Sequence, residues 1–378
     1  MRNIKQVAFF FLSLALIIVD KLLPHVNAFS AAASSIATKK RSSIQRHRNV
    51  VGVSHFSEDF DLTQNVCSTP EHSLLNKQGS SARSTCTLSP IEAAFTKYAM
   101  ISYISHLCIA LPMVLFPTFL KNKVMMTLGL QTKSASEHEA LQVSQKCAST
   151  LLKLIPFVNV HISSPHNMNE QEGNEEEDPV PTIWVSNHVS NLDTFIFLSS
   201  DEQIRGKNRR PIKTIYWKGL DSNPICKLVF SMAGFIPIDM AANGSGNPNE
   251  YNKASFKQML RETKLAISEG FDIFILPEGQ LNPAPEAGLQ PVFGSPFAIA
   301  KSSKRPIQMI GLYGCHHLWR ADQEMNVVGR DVKVKVFPPC TKEFASAEEF
   351  IDAFSAVVGT FGASGQELSS EELDLWLA

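Results

Sequence analysis

TIWVSNHVSNLD, from Thr182 to Asp193, sets a short apolar run, Ile183-Trp184-Val185, against an abrupt polar turn at Ser186-Asn187-His188. A second apolar run opens at Leu192. The pattern predicts a buried strand that delivers His188 to its carboxyl end, a turn, and a helix capped by Ser190 or Asn191. Asp193 then falls in the first turn of that helix. On one continuous helix, residues five apart diverge by roughly 140°. The turn is therefore needed to bring Asp193 back to the imidazole. A carboxylate on one ring nitrogen fixes the tautomer and leaves the other nitrogen free to take a proton.

The spacing alone is weak. With 11 His in the chain, roughly 0.4 matches to H-x4-D arise by chance. A second match, His317 to Asp322, lacks the preceding strand and Asn and reads as accidental. What distinguishes His188 is a partner 90 residues downstream. A second buried strand, Phe271 to Leu276, runs into Pro277-Glu278-Gly279. Ligands of open α/β sheets sit outside the carboxyl ends of strands, so His188 and Glu278 are expected to share one crevice. Gly279 lets a substrate approach the backbone. Glu278 is read either as binding a substrate hydroxyl or as orienting the loop.

Around these two strands, helical and strand patterns alternate. Residues 137–160 read as an amphipathic helix running into a strand at Phe157 to Ile162. Strands follow at Thr214 to Trp217, Phe235 to Ile238, Ile307 to Tyr313 and Val332 to Phe337. Helices are expected near Ile225 to Met232, Tyr251 to Ser268 (closed by Gly270), Pro296 to Ala300 and Glu348 to Phe361. The alternation predicts one α/β domain with a mixed central sheet flanked by helices. The acidic stretch Glu170 through Asp178 reads as a solvated insertion. The basic group Arg205, Lys207, Arg209, Arg210 and Lys213 reads as a solvated loop or as a dock for an acidic partner such as an acyl carrier protein.

The first 55 residues read as an address. Arg2 and Lys5 precede an apolar run, Val7 to Val19, of signal-peptide length. A small-residue junction follows at Ala28-Phe29. Phe29 to His55 is basic, rich in Ser and Ala, and free of acids, like a plastid transit peptide. The pair resembles the bipartite presequence of complex plastids; plain secretion is the alternative. Seven scattered Cys, with no CxxC and no His/Cys ligand spacing, suit a reducing compartment and suggest no metal. Balanced charge, 35 basic against 36 acidic residues, with no binding motif, speaks against nucleic acid as a partner. Ala99 to Leu120 carries no formal charge and is long enough to cross about 30 Å of hydrocarbon. Pro112 and Pro117 would kink or break it, so a re-entrant or interfacial hairpin competes with a clean span; a buried core helix is the third reading.

Taken in order, NHVSNLD, the segment YWKGLDSNPICKLVFSMAGFIPID, LPEG and PIQMIGL resemble the four motif blocks of the glycerolipid acyltransferases. That family includes lysophosphatidic-acid and glycerol-3-phosphate acyltransferases. The resemblance covers roughly residues 145–320. Joined to the address read above, it gives an expected domain order of signal peptide 1–28, transit peptide 29–55, linker 56–90, membrane-associated helical segment 91–136, acyltransferase-like α/β domain 137–362 and C-terminal tail 363–378. It implies His188 as general base, Asp193 as its orienting carboxylate, and Asn187, Lys218, Gly234, Pro277, Glu278 and Gly279 as substrate-binding residues. Membrane lipids and acyl-ACP or acyl-CoA are the implied partners, with no cofactor. No covalent acyl-enzyme is implied, and the chain has no G-x-S-x-G elbow.

Departures from the family pattern concern the acceptor. Gln280-Leu281-Asn282 stand where Thr-Arg-Ser is usual, Met240 where the second block ends in Arg, Met309 for a proline and Ser295 for a glycine. The PEG-x-x-Asn pattern is closer to tafazzin-like transacylases. A non-catalytic lipid-binding protein retaining the fold, and a hydrolase using water, are the rival readings.

Overall fold

A computed structural model describes residues 89–155, 158–164, 180–206, 209–239, 252–320, 325–326 and 330–378. The presequence, nearly all of the linker, the acidic stretch, Lys207, Met240 and Asp322 lie outside the described residues.

The chain enters through α1 (Pro90–Ser105), which passes through a π turn at His106–Ala110 into α2 (Leu111–Thr127). Ser89 and Glu92 form a reciprocal capping box at its start. The expected break at the prolines is instead this π turn. A proline at 112 removes a backbone donor and crowds the carbonyl four residues back, and widening the turn accommodates both. Together these elements make one helix of 38 residues, long and apolar enough to cross a membrane, with 22% of its most apolar window buried. α3 (Lys133–Leu154), capped by Thr132, turns back along it.

The domain then lays down β1 (Val158–Ser163), β2 (Ile183–Ser186), α4 (Asp193–Ser199), α5 (Asp201–Arg205) and β3 (Ile212–Trp217). It continues with α6 (Pro224–Ala233), β4 (Ile236–Ile238), α7 (Lys253–Ser268) and β5 (Asp272–Ile275). Then come α8 (Ser295–Ser303), β6 (Ile307–Tyr313), β7 (Arg330–Val336), α9 (Ala347–Phe354), α10 (Thr360–Ser364) and α11 (Ser370–Leu377). The sheet order is β1-β7-β6-β2-β5-β3-β4. Only the β6–β7 pairing is antiparallel, which makes the sheet mixed, as expected.

Central strands of such a sheet are covered on both faces and read as continuous apolar runs. β2 and β5 are buried along their whole length. Ile183, Val185, Ile273 and Ile275 pack on one face with α7, α8 and the C-terminal helices. Trp184 and Phe274 pack on the other with α3 and α4, where Phe197 stacks on Phe274 at 4.0 Å. Burial of one such aromatic contributes about 1.5–3 kcal/mol.

Three expectations need correction. Residues 363–378 are not a separate tail: α11 buries Leu373 and Leu377 in the main core, and the Leu377 carbonyl accepts from the N–H groups of Thr341 and Lys342. Helix α4 starts at Asp193 with Leu192 at its cap, not Ser190 or Asn191; Ser190 Oγ donates to the Trp319 carbonyl at 2.9 Å and accepts the Leu192 N–H at 3.2 Å, ahead of the first helical residue. Three cations of the basic group, Arg205, Arg209 and Lys213, are held in ion pairs rather than carried on a solvated loop. Arg205 is buried between Asp201 and Asp272 (both 2.5 Å), Arg209 also meets Asp201, and Lys213 is buried against Glu137 at 2.5 Å. Asp272 and Lys213 lie at or next to the amino ends of β5 and β3, so these pairs stabilise the edge of the sheet opposite His188.

Candidate active site

β6, β2 and β5 are parallel neighbours, so their carboxyl ends open on one edge. The chain beyond β2 carries His188, that beyond β5 carries Glu278, and that beyond β6 carries Cys315 to Arg320. These three loops wall the crevice.

His188 Nδ1 lies 3.0 Å from Asp193 Oδ2. The same oxygen accepts the N–H groups of Val189 at 2.6 Å and Ser190 at 2.7 Å. Asp193 is fully buried, while the His188 side chain keeps 22% of its surface exposed. With Nδ1 held by a carboxylate whose position the backbone fixes, Nε2 is the nitrogen left to exchange a proton with a bound hydroxyl. The buried thiol of Cys315 lies close to the Asp193 carboxylate. Burial first, and that charge second, push the thiol well above its ordinary range, so it stays protonated.

Glu278 is buried, and both of its oxygens are occupied. Oε1 accepts the His188 N–H at 2.6 Å; Oε2 accepts the Gln290 N–H at 2.8 Å and Asn282 Nδ2 at 3.2 Å. Of the two sequence readings, the geometry matches loop orientation: Glu278 holds the histidine backbone. Asn282 completes the brace, its N–H donating to the His188 carbonyl at 2.8 Å. Sequence reading assigned Asn282 no role, although PEG-x-x-Asn was its signal. Gly279 takes φ 65°, the left-handed conformation a glycine permits, and closes the turn onto the Leu276 carbonyl at 3.1 Å. Pro277 is buried, and its carbonyl accepts from Phe293.

Two expected substrate contacts are displaced. Asn187 is fully buried, its amide bracketing the Leu312 backbone in both directions at 2.8 Å; it ties β2 to β6 and presents no surface to a ligand. Gly234, at φ 66°, turns the chain before β4 at the far edge of the sheet. A Cβ there would come within 2.6 Å of the Glu137 carboxylate, so the glycine makes room for the Glu137–Lys213 pair. Lys218 is exposed at the end of β3, on the crevice edge but two strands from β2.

Burial, with some help from the Asp193 charge, pushes the Glu278 carboxyl up from 4.5 to about 7, against the pull of the His188 and Gln290 N–H groups. The folded protein therefore holds a proton between those two values that the unfolded chain has lost. This contribution to stability is full below pH 4.5 and is lost as pH rises through 7. Glu278→Gln should flatten that decline. It should also cost about 1–3 kcal/mol at every pH, since an amide nitrogen cannot accept the Gln290 N–H. Denaturant midpoints from pH 5 to 8 test this; an unchanged slope in the variant would exclude it.

Residues 161–312 match the family model described as Acyltransferase, so the fold and site define an acyltransferase domain. A solved structure similar in fold is the 1-acyl-sn-glycerophosphate (LPA) acyltransferase, PlsC, from Thermotoga maritima. It aligns with a TM-score of 0.53 and 17% identity, covering 74% of this chain and 98% of that one. No curated protein matches the chain. Residues 161–312 thus form a domain of the acyltransferase family.

Proposed function

We propose that the protein transfers a fatty acyl group from acyl-ACP or acyl-CoA to the hydroxyl of a lysophospholipid or lyso-glycolipid at a membrane surface. The observation that carries this reading is the His188–Asp193 pair, with the His188 side chain still partly exposed. His188 removes the acceptor hydroxyl proton, the oxygen attacks the thioester carbonyl, and the thiolate leaves, taking up the proton that His188 carries. Backbone N–H groups of the turn after β5 are the candidate donors to the oxyanion. Asp193 supports the imidazolium while it exists. With purified protein and a long-chain acyl thioester, thiol release should depend on added lysolipid, and the acyl group should appear in the diacyl product. Free fatty acid released without an acceptor supports the hydrolase instead. No thiol release with any acceptor supports the non-catalytic lipid binder.

The long apolar helix supports membrane association. Its inner stripe, Ala99, Ile104, Leu111 and Leu115, is buried along the protein, which favours a helix lying in the bilayer surface over one that spans. For residues 1–55 we propose a signal peptide followed by a plastid transit peptide. A fluorescent fusion of residues 1–60 should reach the plastid, and its appearance in the medium would mean secretion.

A further inference from the structure

Helix α2 carries apolar side chains on both its inner and its outer face. Leu111 and Leu115 turn inward onto Val229 and Met232 of α6. Outside, Met113, Phe116, Phe119, Leu120 and Val124 stay uncovered. A helix apolar on its water side marks a membrane contact. The contact does not stop at this helix.

On α6, Leu228 stands four residues before Met232, so the two lie about 40° apart around the helix axis. Leu228 therefore flanks the seam with α2, and it is 43% exposed. Its neighbour Lys227 is exposed as well. The 3₁₀ turn Lys218–Ser222 leads directly into α6. Trp217, at its head, is 45% exposed. The indole is laid over Gly219, where a Cβ would fall 2.2 Å from the ring. The ring is thus held against the turn at the surface. Asp221, the acid of this turn, accepts from the Tyr216 hydroxyl at 3.0 Å, and the two lysines, Lys218 and Lys227, outnumber it and leave the patch positive. Trp beside Lys on an apolar rim is the composition of a bilayer interface, and Lys favours anionic headgroups.

We propose that Trp217, Lys218, Lys227 and Leu228 form a second bilayer contact, continuous with α2 and selective for anionic lipid. Trp217 ends β3, whose carboxyl edge is shared with β5 and β2. The contact therefore turns the crevice edge toward the membrane, and a lysolipid reaches His188 without leaving the surface. This rests on the membrane reading above.

The test uses the full chain with vesicles of phosphatidylcholine containing about one third phosphatidylglycerol, their acyl chains brominated near the headgroup. Tryptophan emission should be quenched, and Trp217→Phe should remove about half or more of that quenching. Lys227→Gln should weaken binding to these vesicles about fivefold and leave binding to pure phosphatidylcholine unchanged. Leu228→Ser should weaken both. A Phe116→Trp reporter in the Trp217→Phe background separates the two levels of the reading. If the reporter is quenched while Trp217 in the parent is not, the contact is confined to the helical hairpin and the proposal falls. If neither is quenched, the membrane reading falls with it.

Discussion

Alanine at His188 is expected to lower kcat/KM for acyl transfer by about 10²–10⁴ while the fold survives. The side chain is partly exposed and fills no core. The structural bonds of this residue are made by its backbone, the N–H to Glu278 and the carbonyl to Asn282, and alanine keeps both. Asp193→Asn should be as severe for a different reason. Three donors converge on Oδ2, and a neutral amide oxygen holds them more weakly and leaves the imidazolium unsupported. That variant should lose thermal stability as well as rate, which His188→Ala should not. His317→Ala should stay within about threefold of the parent, since the second H-x4-D match lacks the strand-to-turn context. Acyl-transfer kinetics on folded, purified variants decide the matter. Retention of more than about a tenth of the activity in His188→Ala would remove histidine from the role of base.

The part of the site legible in the sequence is the part built from neighbours. The dyad is local, and β2 and β5 are short, apolar and buried on both faces, so strand, turn and crevice edge followed from periodicity and turn chemistry. What was illegible depends on distant partners. Asn187 sits in the histidine motif, yet its amide is committed to Leu312 across the sheet. The cations at 205–213 resemble a surface loop until Asp272 and Glu137 are brought against them. Gly234 reads as part of a substrate block, but parallel topology puts it at the wrong edge. Cys315 gave no signal at all, since a lone cysteine in an apolar strand end is ordinary. Helix α11 did give one: Ser369 and Glu372 form a capping box.

The acceptor is where this chain parts from the family pattern, and the expected result is a preference against phosphate monoesters. A monoester brings close to two negative charges and is usually met by arginine forks. The position after Pro277-Glu278-Gly279 that the family gives to arginine holds Leu281, half-buried. At the end of the second block stands Met240. Each missing charge-assisted bond costs about 1.5–3 kcal/mol, so two weaken such an acceptor by several hundred-fold or more. Arg205, Arg209 and Lys213 cannot substitute, because they are paired at the opposite edge. Arg320 does stand at the crevice: the carbonyl of Trp319, its neighbour, accepts from Ser190 Oγ and from the Asn191 N–H. Its guanidinium, however, is held by Glu286 at 3.0 Å, and a carboxylate there repels an incoming dianion. We therefore expect kcat/KM for lysophosphatidic acid to fall several hundred-fold below that for a lyso-phosphodiester or lyso-glycolipid with the same thioester. Glu286→Gln should narrow the gap by removing the carboxylate charge beside Arg320, and it should leave a neutral glycolipid acceptor little affected. If lysophosphatidic acid proves the best acceptor of the parent enzyme, the arginine argument is wrong. If the gap exists but Glu286→Gln leaves it unchanged, discrimination rests on the missing arginines alone and not on the Glu286–Arg320 pair.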